Sequence, residues 1–201
     1  TSGIVEFQGI DLSRISYCFP AAGVDHRPMH YSSTHESSGV VLSGTATVGY
    51  RRSEPEAPLS RWVHFHTAWV DAEGSLRGGH LWPETTARTA LSQATVWPLS
   101  GLDLVNAVCE ETLMPVFTPH GPGIAQAAAS SDRPAATEGD RRVIFARVRP
   151  NEELYAAVLR PCREHRLHGG SVRGGTGSLV GTTFADGRIG AGPAVETSSL
   201  S

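Results

Sequence analysis

The chain has 201 residues, 39% hydrophobic and 18% charged, with a formal net charge of −3 and a pI near 6.3. That length and composition suit one or two small domains with a real core, and the acidic balance argues against strong non-specific attraction to nucleic acid. No apolar run approaches the roughly 18 residues of a membrane span, no basic segment followed by an apolar stretch opens the chain, and Cys18, Cys109 and Cys162 lack C-x-x-C spacing. A cytoplasmic protein without membrane contact, disulfide framework or thiolate zinc site is expected.

Taken in order, residues 4–7, 15–19, 39–42 and 45–50 read as strands, rich in β-branched and aromatic residues and bounded by turn formers. Residues 51–60, with Pro55 and Pro58, read as a loop, and 62–70 as a further strand. Asp71-Ala72-Glu73-Gly74 is a turn signal followed by a short apolar run, so the pair reads as a β-hairpin. Residues 85–97 alternate weakly and are expected as a strand, while 99–108 suits a short helix or a strand equally. Residues 120–139 have the Pro-, Ala- and Ser-rich composition of a linker. Beyond it, 143–148 reads as a strand. A helix is expected from Asn151, with acids in its first turn, a bend at Pro161 and a stop at Gly169-Gly170. Gly174-Gly175-Thr176-Gly177-Ser178 lacks the Gly-Lys-Ser/Thr ending of a phosphate loop and reads as a structural turn.

The chemistry concentrates in the predicted hairpin. His64 and His66 are two apart on one strand, so both leave the same face. With Gly74 in the left-handed conformation of a three-residue loop, Asp71 pairs with Ser75 and the ladder sets His66 opposite His80. Trp82 would then lie across from His64. Opposed side chains have Cβ atoms about 4.5–5.5 Å apart, which lets both rings reach one ion. A slip of one residue would send His80 to the other face. Three histidines without a fourth ligand in the hairpin form the catalytic pattern of a divalent metal, zinc by default, with an open position for water or substrate. The alternative is that these are sheet histidines bonded to carbonyls. Glu84, four residues after His80, and Glu36 with His35 are candidate general bases or partners of an imidazole; for each the plainer reading is a solvated surface group. Cys18 could act as a nucleophile only with a base beside it.

These same residues carry a family resemblance. Ser43-Gly44-Thr45-Ala46, followed by His64-Phe65-His66, Asp71-Ala72-Glu73-Gly74 and Gly78-Gly79-His80-Leu81, resembles the second half of the PPC domain, which is conserved in plants and prokaryotes. In that family a Leu-Ser-Gly-Thr strand leads to a His-x-His strand, an Asp-Gly-type turn and a Gly-Gly-His-Leu strand, and some prokaryotic members bind a metal through these histidines. Residues 142–155, continuing through Glu164-His165 and Gly169-Gly170 to Gly177-Ser178-Leu179, look like the first half of the same domain. The order is therefore inverted. A circular arrangement and a tandem pair both account for it. The tandem pair, cut short at its end, is favoured because residues 1–42 carry strand-like material that a permutation would not need.

The resemblance implies an α+β fold: an antiparallel or mixed β-sheet with few helices, strand-rich in its N-terminal part and β-α-β in its C-terminal part. It divides the chain into a second-half segment (1–119), a linker (120–140) and a first-half segment (141–201), and it implies a homotrimer. Plant members are DNA-associated through a separate basic Arg-Gly-Arg-Pro hook, which this sequence lacks, so nucleic acid is not the expected partner. The function expected is a metal-dependent enzyme of hydrolase or lyase type, or a binder, acting on a small molecule. A DNA-associated regulator and an oligomeric assembly module are the alternatives.

Overall fold

The computed structural model describes residues 1–27, 29–54, 56–89, 93–121 and 143–198. The strands in chain order are β1 (Ser2–Phe7), β2 (Asp11–Cys18), β3 (Pro20–Ala22), β4 (Met29–Tyr31), β5 (His35–Arg51), β6 (Ser60–Asp71), β7 (Leu76–Leu81), β8 (Thr86–Ala87), β9 (Ala94–Leu99), β10 (Asp103–Val108) and β11 (Pro115–His120). Helix α1 (Leu154–Glu164) and the strands β12 (Thr176–Leu179) and β13 (Val195–Ser198) follow.

The 17-residue strand β5 organises the main sheet. One edge pairs along most of its length with β6; the other pairs in turn with β2, β1 and, in parallel, β10. Because β6 pairs with β7 and β7 with β2, the strands β5, β6, β7 and β2 close a circuit. Inside it lies the core of Leu12, Ile15, Val41, Trp69 and Leu81, flanked by Phe7, Ile10, Tyr17 and Phe65. Trp69 is fully buried, its ring edge against Tyr17 at 4.8 Å and its indole N–H donating to Ser37 Oγ at 3.1 Å.

The hairpin between β6 and β7 forms in the expected register. The Asp71 backbone N–H donates to the Ser75 carbonyl, Gly74 sits at φ +81°, and His66 pairs with His80. Asp71 fastens the turn itself: its carboxylate accepts from the backbone N–H groups of Glu73 (3.1 Å) and Ser75 (2.7 Å) and from Arg77 Nε (2.8 Å). The Arg77 guanidinium first, then the Ser75 amide, hold its carboxyl below the usual range. The ladder ends at the Phe65–Leu81 pair, and the Trp82 amide turns away to the Ser16 carbonyl. Gly79 is required by close approach: a Cβ there would lie 2.7 Å from the Cys18 carbonyl oxygen on β2. Gly79→Ala is therefore expected to destabilise the fold by about 1–3 kcal/mol, read from the urea midpoint, by forcing β7 and β2 apart.

The expected α+β class with a β-α-β C-terminal part is corrected. Strands account for 49% of the structure and helix for 6%, a mostly-β fold. The physical reason is that alternation does not make a strand without a partner edge: residues 143–148 form no ladder among the described residues, and after α1 the chain makes an antiparallel hairpin of β12 with β13. The helix is present but capped differently. Glu153 is the N-cap, its carboxylate accepting from the Tyr155 and Ala156 amides, while Asn151 takes a left-handed turn at φ +59°. The helix ends at Glu164, before Gly169-Gly170, and Pro161 lies within it. Of the described residues in 85–97, 86–87 form β8 and 94–97 belong to β9, and 103–108 is a strand. The expected linker lies outside the described residues from residue 122 onward.

Candidate metal centre

The alternation of β6 divides its side chains between two environments. Phe65 and Trp69 point into the core, while His64 and His66 leave the opposite face, joined there by Thr45 and Thr47 of β5 and by His80 of β7 through cross-strand pairing. Cys18 of β2 pairs with His80 and adds to the same face. An open sheet would leave this polar face to water. Here the β12–β13 hairpin covers it: Thr176 Oγ1 meets Thr47 Oγ1 at 2.9 Å, and the Thr197 carbonyl lies 3.0 Å from His66 Nδ1. The hairpin is anchored through Glu6, whose carboxylate accepts from the Gly174 amide at 2.6 Å and from Arg173 at 3.1 Å. Burial would raise the Glu6 carboxyl, but hydrogen bonds from Trp97, Gly174 and Arg173 outweigh it and hold it below the usual range.

One ligand atom from each of His64, His66 and His80 falls within 4.8 Å of the others. His64 Nε2 and His66 Nε2 are 2.9 Å apart. Nitrogens bound tetrahedrally at about 2.0–2.1 Å are about 3.3 Å apart, so this pair lies near the spacing that two ligands of one ion would have. The donor chemistry fits a metal in a second way. His66 Nδ1–H donates to the Thr197 carbonyl, which leaves the Nε2 lone pair facing the cluster, the arrangement that backs metal-bound histidines. His80 Nδ1 is buried and makes no hydrogen bond. Burial pushes His64 well below its ordinary pKa, with the neighbouring His66 and His80 adding to the shift. Burial also lowers His66, against backbone hydrogen bonds that raise it, and brings His80 down to about 4. All three are thus neutral at pH 7 and able to donate lone pairs.

His80 is walled by aromatic rings, with Trp82 at 4.7 Å and Tyr31 at 5.1 Å between centroids. Burial raises the Tyr31 hydroxyl to about 12, and the Cys18 thiol to about 12 as well. Cys18 is fully buried and protonated, so it is no nucleophile as it stands.

The carboxylates named from sequence sit elsewhere. Glu36 is exposed and held by Arg14 in a two-pronged pair at 2.8 and 2.9 Å; Glu84 is exposed on the turn after β7. His35 stacks on Phe19 at 4.9 Å and leans on Tyr17 at 5.4 Å, outside the three-histidine group. The carboxylate that does reach the histidines is Glu196, which sequence reasoning passed over. Its Oε1 lies 3.6 Å from His66 Nε2, with the side chain 11% exposed. Burial raises its carboxyl to about 7, opposed only by the His80 backbone amide. No local signal in Val195-Glu196-Thr197 marks it; only the docking of the hairpin does.

Among the described residues no helix is long and apolar enough to cross a membrane. No family model and no curated protein matches the chain. Three crystal or three-dimensional structures are similar to part of it. A "Putative DNA-binding protein" from Ralstonia eutropha JMP134 is 19% identical over 57% of this chain and 72% of its own, with a TM-score of 0.40. A "hypothetical protein" from Salmonella enterica is 20% identical over 59% and 75%, at 0.37. A "putative dna binding protein" from Bacteroides thetaiotaomicron is 13% identical over 58% and 73%, also at 0.37. Every TM-score lies below 0.5, and the chain's own chemistry resides in its three-histidine cluster, a group of side chains whose geometry could hold a metal ion.

Proposed function

We propose that this chain is a PPC-like metal protein in which His64, His66 and His80 hold one divalent ion, zinc first among the candidates, and which acts as a hydrolase- or lyase-type enzyme, or as a binder, on a small molecule. The observation that carries the reading is the convergence within 4.8 Å of three neutral imidazoles, His66 and His80 buried and His64 half-buried, one of them oriented through its far nitrogen by a backbone carbonyl. When bound, the ion would supply Lewis acidity or an acidified water. The chain's own contribution is to fix the three rings on a closed sheet, to keep them unprotonated by burial, and to restrict water with Trp82, Tyr31 and the C-terminal hairpin. A homotrimer is part of the same proposal, carried by the resemblance to the PPC domain.

Metal content measured by mass spectrometry on untagged protein tests it. About one ion per chain is expected, and none in a His64→Ala, His66→Ala double variant that keeps its circular dichroism spectrum. Wild-type protein that stays empty after exposure to zinc, iron, nickel and cobalt would sink the metal centre and leave a regulator or assembly module as the better account.

A further inference from the structure

The three histidines use no carboxylate from their own hairpin, yet a buried one stands against them. Glu196 is carried by β13, which forms part of no strand order in the main sheet; it belongs to the separate β12–β13 pair laid over the histidine face. Its Oε1 is 3.6 Å from His66 Nε2, close to the spacing of about 3.3 Å between neighbouring ligand atoms on a tetrahedral ion. Its Oε2 is buried and makes no hydrogen bond. A carboxylate oxygen in that state costs free energy unless a cation or a donor meets it. Its neighbour on the same strand, Thr197, already orients His66 through its carbonyl. One short strand therefore presents both a carboxylate with one unpartnered oxygen and the group that backs a ligand.

We propose that Glu196 is a fourth protein ligand of this centre, making a three-histidine, one-carboxylate set, and that metal binding ties the C-terminal hairpin to the sheet. The inference rests on the reading of His64, His66 and His80 as metal ligands. It also divides the candidate metals by what they leave open. A tetrahedral zinc ion would be closed by this set, whereas an ion with six-coordinate preference, such as iron, nickel or cobalt, would keep two positions for a small-molecule ligand. Metal identity would thus decide whether the centre is structural or reactive.

The test is a cobalt(II) and zinc(II) titration of the full chain as wild type, Glu196→Gln and Glu196→Asp, with hydrogen exchange of residues 176–179 and 195–198 followed with and without metal. Glu196→Gln keeps the shape of the side chain and removes its charge; Glu196→Asp keeps the charge and withdraws it by one methylene. Both are expected to bind cobalt and zinc about 10–100-fold more weakly and to alter the visible cobalt spectrum. Metal should slow exchange in the hairpin of the wild type and fail to do so in either variant. Wild-type affinity and spectrum in Glu196→Gln would overturn the ligand role while leaving the histidine centre standing. Absence of binding in the wild type would overturn both. Should Glu196→Gln fail to fold, unchanged cobalt binding in Glu196→Asp, or hairpin exchange in the wild type that metal does not slow, would overturn it as well.

Discussion

Trp69→Ala should destabilise the protein by about 3–5 kcal/mol, read as a fall in the urea or thermal midpoint. The side chain is fully buried, packs in the cluster of Leu12, Ile15, Val41 and Leu81, and meets Tyr17 edge-on. Truncation removes that contact area, leaves a cavity inside the closed circuit of β5, β6, β7 and β2, and takes from the Ser37 hydroxyl the indole N–H that now donates to it. Against a total stability of about 5–15 kcal/mol, this is at least about a fifth of what a domain has. Because Trp69 lies on the same strand as His64 and His66, loosening of β6 should also weaken metal binding. A Trp69→Ala variant that unfolds within about 1 kcal/mol of the wild type would show that the core does not depend on this strand as described.

The metal-free protein should be less stable at pH 5 than at pH 7. The histidines are held neutral by desolvation, so between their ordinary pKa and their folded value the unfolded chain binds more protons, and stability falls as the pH drops. For His80, with an ordinary value of 6.5 and a folded value of about 4, the loss between pH 7 and pH 5 is about 2 kcal/mol. Glu196 works in the opposite sense. Its folded carboxyl, raised to about 7 from 4.5, keeps a proton that the unfolded chain releases, and acidification over the same interval recovers about 2 kcal/mol. His80 and Glu196 thus nearly offset each other. His64 and His66, both displaced downward by burial, set the sign. Urea midpoints taken at both pH values in the presence of a chelator check this, and the His64→Ala, His66→Ala double variant should lose the acid destabilisation. A midpoint equal or higher at pH 5 in the wild type would contradict the neutral, buried state of these rings.

The histidine hairpin was legible because everything that forms it is local. Period-two alternation puts His64 and His66 on one face, and Asp71 with Gly74 specifies a turn whose length sets the register down to His80. The fate of residues 143–148 was not legible. Their composition suits a strand, but a strand is a property of two segments, and no edge is offered to them among the described residues. The same reasoning covers the helix start: Asn151 is a good cap by type, yet it takes a left-handed turn and Glu153 meets the free amides.

Sequence alone therefore determined the three imidazoles, their common face and their register, since these follow from residue type, spacing and a single tight turn. Tertiary structure alone decided that the fold is mostly β, that Glu36, Glu84 and His35 lie outside the histidine group, and that Glu196 stands against it. The contact between His66 and Thr197 spans 131 residues. No periodicity reaches that far, and only the packing of the C-terminal hairpin over an otherwise bare polar face brings the two together.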